Sequence, residues 1–178
     1  MIDYLQKIAA FRSTIQLDPS FQYTGVEDYV LDRGRTQTVA TKLTEEELEI
    51  LYDAIDLSGM LRPRKKQCFY NAQLLALGSY GKIEYVEGIA IGRSGVYAHH
   101  GWNKIGDKLI DLTWRTTKQN HRGRLRNRIF GKIPEGWQYR GIAFRDELIR
   151  QRISDTQMVC AVIADWRYSF VLLKQVRL

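Results

Sequence analysis

Residues 67–77, QCFYNAQLLAL, place a cysteine directly before a run of good helix formers. No glycine or proline interrupts residues 69–77, and Gly78 follows them, so this stretch predicts a helix that begins at or near Cys68 and ends at Gly78. Helical spacing puts Cys68 on the same face as Ala72 and Ala76, and a face of small residues favours close packing against a sheet. The stretch therefore predicts a central helix that carries the cysteine in its first turn.

The strands that such a helix would cover follow directly in the sequence. Residues 82–92, KIEYVEGIAIG, are rich in β-branched and aromatic side chains and predict a strand. Residues 95–114, GVYAHHGWNKIGDKLIDLTW, predict a hairpin, because a glycine opens the two-residue turn at Gly106-Asp107. A helix followed by paired strands predicts an α+β fold with an antiparallel sheet. Further along, the pattern predicts a strand over residues 137–144, helices over 145–153 and 154–166, and a strand over 167–176.

The predicted hairpin decides between two adjacent histidines. Its register places Trp102 opposite Asp111. Side chains alternate along a strand, so His100 shares the face of Trp102 and Asp111, while His99 points to the other face. The turn therefore brings His100, and not its neighbour, within side-chain reach of a carboxylate.

Cysteine, histidine and aspartate in this order supply the parts of a thiol nucleophile. A cysteine reacts as thiolate, and a helix N-terminus stabilises that anion through its oriented N–H groups. A neighbouring imidazole exchanges the proton, and a carboxylate on its other ring nitrogen fixes the tautomer. We therefore predict Cys68 as nucleophile, His100 as general acid and base, and Asp111 as the orienting carboxylate.

Two further residues are candidates for the lining of this site. The backbone N–H of Cys68 is a natural donor to an oxyanion, and the Gln67 side chain is a candidate second donor. Trp102 is a candidate wall of the site, although an ordinary core position explains it equally well.

Two alternative interpretations of these residues remain open. A single cysteine is usually a small packed hydrophobe, and Cys160 within MVCAVIA is best explained in that way. Cys68, the two histidines and Asp111 are also potential zinc ligands, but no Cys-x-x-Cys or His-x-x-x-His spacing occurs in the sequence, and we predict no metal and no cofactor.

The net charge of +7 is concentrated in one segment. Residues 115–132, RTTKQNHRGRLRNRIFGK, contain seven basic residues and no acid. Arg122, Arg124 and Arg126 in this segment are candidate contacts to an acidic substrate. A nucleic-acid partner is less favoured, because the segment lacks interleaved aromatic side chains that would stack on bases.

The composition is that of one globular domain. The chain has 178 residues, 44% of them hydrophobic, and we expect a single domain over residues 1–178, with a helical N-terminal extension over 1–60 and a core over 61–178. No segment has the roughly 18 consecutive apolar residues that span a membrane. The N-terminus lacks a signal-peptide layout, and two cysteines suit a reducing compartment, so we expect a cytoplasmic protein.

These motifs, taken together, resemble the core of the transglutaminase-like cysteine enzyme superfamily, in a small bacterial or phage form. The family pattern has a cysteine that opens a helix, then a strand with His-(small)-Trp, then a strand that ends in Asp-x-Thr. The resemblance falls on Cys68, on His100-Gly101-Trp102 and on residues 111–113, and covers less than a third of the chain. The sequence departs from the family in having a histidine at position 99 and Gly101 where alanine is more frequent.

The resemblance implies a papain-related α+β core and acyl transfer through a thioester on Cys68. The expected function is amide hydrolysis, as a peptidase or deamidase acting on a protein or peptide, with no cofactor. Because a fold does not fix a function, the alternative is a catalytically degenerate member that binds an acidic partner or nucleic acid through residues 115–132.

Overall fold

A computed structural model of the chain describes residues 1–15, 18–37, 43–60, 63–114, 133, 135–165, 167 and 169–174. The fold is α+β, as the sequence predicts, with an antiparallel five-stranded sheet in the order β1-β5-β2-β3-β4. The strands are β1 (Arg35–Gln37), β2 (Glu84–Ile91), β3 (Tyr97–Ile105), β4 (Lys108–Ile110) and β5 (Gln138–Phe144). The helices are α1 (Ile2–Ser13), α2 (Val26–Arg33), α3 (Glu45–Leu57), α4 (Cys68–Gly78), α5 (Asp146–Thr156) and a 3₁₀-helix over Val171–Lys174.

The central helix and the hairpin form where the sequence predicts them. α4 begins at Cys68 and ends at Gly78. Gly106 opens the turn between β3 and β4 with φ of 57°, a conformation that glycine adopts without strain. The ladder pairs Asn103 with Ile110, so the predicted register is present, and the chain leaves the strand at Asp111.

α4 packs across the sheet face opposite to the one predicted from the sequence. We expected the helix to cover the face that carries His100. Instead, the Phe69 ring lies 4.9 Å from the ring of His99, and Asn103 Nδ2 donates to the carbonyl of Ala72 at 2.8 Å. Gly101 lies between these two contacts, and its missing side chain leaves room for the helix. The helix therefore covers the odd-numbered side chains of β3, and His100 projects from the other face.

The N-terminal residues contribute to the same sheet and core as the rest of the chain. β1 pairs with β5, with Thr36 opposite Arg140. Leu5, Tyr23 and Val30 are fully buried in one hydrophobic cluster with Ala72, Ala76, Tyr85 and Ile89. The segment predicted as an N-terminal extension thus supplies one strand and a substantial part of the main core.

The C-terminal part differs from the prediction. The predicted strand over 137–144 and helix over 145–153 are present as β5 and α5. The predicted helix over 154–166 is wrong, because α5 ends at Thr156 and Gln157 adopts a left-handed conformation with φ of 55°. The predicted strand over 167–176 is also wrong where it is described, because a 3₁₀-helix occupies Val171–Lys174. These apolar residues pack as irregular backbone, with Val162 and Ile163 buried in the core.

Candidate active site

The Cys68 thiol lies beside an open stretch of the β3 edge. β4 pairs with β3 only between Asn103 and Ile105, so no strand of the described residues lies beside Gly101 on that side. The His100 side chain and the backbone N–H groups of Gly101 and Phe69 lie close enough to the Cys68 sulfur there to lower the pKa of the thiol. Cys68 belongs to α4, which covers one face of the sheet, whereas His100 projects from the other face. The two side chains meet beside the open edge of β3.

His100 links this thiol to a buried carboxylate. Its Nε2 donates to Asp111 Oδ2 at 2.8 Å, which leaves Nδ1 for the contact with Cys68. His100 is 8% exposed and Asp111 is 4% exposed, so this contact is shielded from water. The Thr113 N–H donates to Asp111 Oδ1 at 2.9 Å and holds the carboxylate in place. The three residues that the sequence predicts as a catalytic set are therefore brought together, with a hydrogen bond between His100 and Asp111 and the Cys68 thiol beside the imidazole.

The environment favours a thiolate and an imidazolium. Burial alone would raise the pKa of Cys68, but the hydrogen bond and charge of His100, with the N–H groups of Gly101 and Phe69, bring it below its ordinary value. Burial would lower the pKa of His100, but the bonds to Asp111 and Cys68 raise it to about 9. Burial opposes ionisation of Asp111 as well, yet the bond to His100 keeps its pKa below the usual range. Both shifts favour the charged forms, so the site stabilises the thiolate and imidazolium pair relative to the neutral pair.

Tyr139 and Trp114 extend this network, and neither was predicted from the sequence. The Tyr139 hydroxyl donates to Asp111 Oδ2 at 2.8 Å, and Trp114 Nε1 donates to the Tyr139 oxygen at 2.7 Å. Tyr139 is fully buried on β5, and burial together with the nearby Asp111 charge raises its pKa, so it remains a neutral donor. The sequence predicts a strand over residues 137–144. It does not predict the pairing of β5 with β2 that brings Tyr139 to this site, because no local pattern specifies that pairing.

The two candidate lining residues occupy different environments. Gln67 is the exposed N-cap residue of α4, and its side chain makes no capping hydrogen bond. Its role as an oxyanion donor stays a prediction. Trp102 is 1% exposed and stacks on His100 with ring centroids 6.2 Å apart, so it supports the imidazole from within the core and does not form an open wall of the site.

Gly101, where the resembling family more often has alanine, is closely packed. A Cβ at this position would lie 3.0 Å from the Phe69 ring and 3.2 Å from the ring of Tyr85. These distances are shorter than an ordinary van der Waals contact, so an alanine would displace Phe69, the residue next to Cys68. A glycine in place of alanine at position 101 therefore permits the close packing of α4 on β3.

The remaining candidates lie elsewhere. His99 donates to the fully buried Glu87 at 2.7 Å on the opposite sheet face. Cys160 lies 3.6 Å from Asp165, and burial together with that charge raises its pKa, so it lacks the activation that Cys68 has. The basic segment 115–132, with Arg122, Arg124 and Arg126, lies outside the described residues.

Comparison of the chain with protein-family models, curated proteins and solved structures gives no match. Within the described ranges, no group of three or more His, Cys, Asp or Glu side chains could hold a metal ion. No helix in the part of the chain that the structure describes has the length and apolar character needed to cross a membrane.

Proposed function

We propose that this protein is a cysteine-dependent acyl-transfer enzyme that hydrolyses amide bonds of a protein or peptide. The observation that carries the proposal is the continuous chain of contacts from Cys68 through His100 to Asp111, with the pKa of the thiol lowered and that of the imidazole raised. The half-buried Cys160 has the opposite direction of shift, because burial and the Asp165 charge raise the pKa of its thiol. We also propose membership of the transglutaminase-like superfamily on the motifs described above.

In the first step the Cys68 thiolate attacks the carbonyl carbon of the substrate. A carbon–sulfur bond forms, and the carbonyl electron pair moves to the oxygen. The Cys68 N–H at the start of α4 is available to that oxyanion, because the first N–H groups of a helix have no partner within the helix. The carbonyl re-forms as the carbon–nitrogen bond breaks, and the His100 imidazolium gives its proton to the departing amine. The product is a thioester on Cys68 and a free amine.

In the second step water releases the acyl group. His100, now neutral, takes a proton from water as the oxygen attacks the thioester carbonyl. The carbon–sulfur bond breaks, the acid product departs, and the thiolate and imidazolium are restored. Hydrolysis is favoured over cross-linking because water requires no acceptor site, whereas an amine acceptor needs one that binds it.

Selective alkylation tests the proposal. At neutral pH, iodoacetamide should label Cys68 at least about tenfold faster than Cys160, because the pKa of the Cys68 thiol is lowered and that of Cys160 is raised. His100→Ala should reduce the Cys68 rate to that of an ordinary thiol. Intact-mass and peptide mass spectrometry measure both rates in one sample, and Cys160 serves as the internal control. Equal labelling of the two cysteines, or a Cys68 rate that is independent of His100, would remove the proposal.

A further inference from the structure

Three basic side chains directly precede the nucleophile. Arg64, Lys65 and Lys66 are all exposed, and Gln67 alone separates them from Cys68. Among the described residues, none of the three forms an ion pair with a carboxylate. The charge of this basic loop, residues 64–66, is therefore not neutralised by an ion pair within the described part of the fold and is available to a bound molecule.

The basic loop is held in a fixed position relative to α4. Asn71, which is 1% exposed, accepts from the Arg64 N–H at 2.7 Å and donates to the Arg64 carbonyl at 2.8 Å. The Arg64 guanidinium lies 4.1 Å from the centroid of the Tyr70 ring. Lys66 adopts a positive φ of 57°, which is uncommon for lysine and is sustained only where the surroundings enforce it. A helix residue thus fixes the loop beside the thiol.

A substrate carbonyl on Cys68 must lie close to these charges. Two residues of chain span at most about 7 Å, so the backbone of Lys66 is within that distance of the backbone of Cys68. The Debye length at physiological ionic strength is about 8 Å, so these charges act on groups that flank the scissile bond.

We propose that the basic loop selects substrates with a carboxylate next to the scissile amide, that is, acidic peptide segments. The inference rests on the proposed function, because it assigns a preference to the Cys68 site. Lys65 and Lys66 are specificity-determining residues in this assignment, and Asn71 is the positioning residue that holds their loop.

Two alkylating probes that differ in charge separate this preference from general reactivity. Iodoacetate and iodoacetamide both react by displacement of iodide by the thiolate, but only iodoacetate carries a carboxylate. The ratio of their rate constants at Cys68 therefore reports the local potential, and the iodoacetamide rate alone reports the thiolate fraction and the integrity of the site. The His100 charge contributes to the ratio equally in variants that leave the triad unchanged.

Charge reversal should lower this ratio in steps. At about 0.01 M ionic strength we expect roughly a threefold fall in Lys65→Glu or Lys66→Glu, and about tenfold in the double variant. The double change to Gln should give about half the logarithmic effect. At 0.5 M salt the variants should approach the native protein. Lys82→Glu, an exposed position just beyond the other end of α4 and roughly 16 Å along the helix, is the matched control and should change the ratio less than twofold.

The outcomes separate the two proposals. An unchanged ratio in the double variant, or an equal change in Lys82→Glu, overturns the acidic preference while Cys68 remains reactive. A Cys68 rate that does not depend on His100 overturns the proposed function itself. A variant whose iodoacetamide rate falls more than about twofold has a smaller thiolate fraction or an altered site, and the Gln variants then decide the question.

Discussion

Asp111 accepts two side-chain hydrogen bonds on a single oxygen. His100 Nε2 and the Tyr139 hydroxyl each lie 2.8 Å from Oδ2, and Trp114 donates to the Tyr139 oxygen behind it. Tyr139 does not touch Cys68 in this arrangement, so any influence on the thiol passes through the carboxylate. It is a positioning residue.

Tyr139→Phe tests this role. Loss of the hydroxyl removes a bond that holds the Asp111 carboxylate in place for His100, so the alkylation of Cys68 should become slower. We expect a loss of about 1 kcal/mol in thiolate stabilisation, or roughly a fivefold slower reaction at neutral pH. The measurement is the iodoacetamide rate as a function of pH. Tyr97→Phe on β3 is the control, and the same profile in both variants would contradict the role.

At the residue scale, the sequence predicts His100 as a residue of the candidate site but does not predict Tyr139. Alternation along β3 and the Gly106 turn suffice to choose His100 over His99, because both signals are local. Tyr139 reaches Asp111 through the pairing of β5 with β2, between segments that are far apart in the sequence. Nothing in residues 137–144 alone specifies that pairing.

At the scale of elements, Glu87 connects the sheet to the irregular C-terminal segment. It is fully buried on β2, and its two oxygens accept from the Tyr85 hydroxyl, His99 and the backbone N–H groups of Val162 and Ile163 at 2.6–2.8 Å. A helix through residues 162–163 would use those N–H groups internally. The carboxylate therefore explains why the apolar run that predicts a helix here is folded as irregular backbone.

Glu87→Gln should destabilise the protein by about 2–4 kcal/mol. The amide nitrogen replaces one acceptor oxygen and faces donors, so at least one buried N–H or O–H loses its partner. Urea unfolding followed by circular dichroism measures the change in the free energy of unfolding. Glu84→Gln is the matched control, since this residue of β2 is exposed and only its weak contact with Lys104 is affected. Equal stability of the two variants would show that Glu87 does not anchor the C-terminal segment.

The elements that have local sequence signals were predicted correctly, whereas the sheet face on which α4 packs was not. The start of α4, its end at Gly78 and the β3–β4 turn follow from helix propensity and turn chemistry. The side of the sheet that α4 covers depends on Gly101 and on the bond from Asn103 to Ala72, and both act between elements. The contact between Cys68 and His100 forms nevertheless, because β4 leaves the edge of β3 beside Gly101 uncovered and the thiol reaches His100 around that edge.

At the scale of the whole molecule, residues on both sides of position 60 share one core. Leu5, Tyr23, Tyr29 and Val30 pack with Ala72, Tyr85 and Ile149, and all are buried. Burial of each large apolar side chain contributes about 1.5–3 kcal/mol, so four of them contribute about 6–12 kcal/mol. That sum is comparable with the entire stability of a typical domain, about 5–15 kcal/mol. The chain should therefore unfold as one cooperative unit.

Two probes of urea unfolding measure this cooperativity. All four tryptophans lie after residue 61, so fluorescence reports the C-terminal part, whereas far-UV circular dichroism includes α1, α2 and α3. We expect the two transitions to coincide, because the shared core cannot be lost on one side alone. A chain reduced to residues 61–178 should show no cooperative transition, since it lacks β1 and the four buried side chains. Separate midpoints, or a folded shortened chain, would show instead that residues 1–60 dock on an independently stable core.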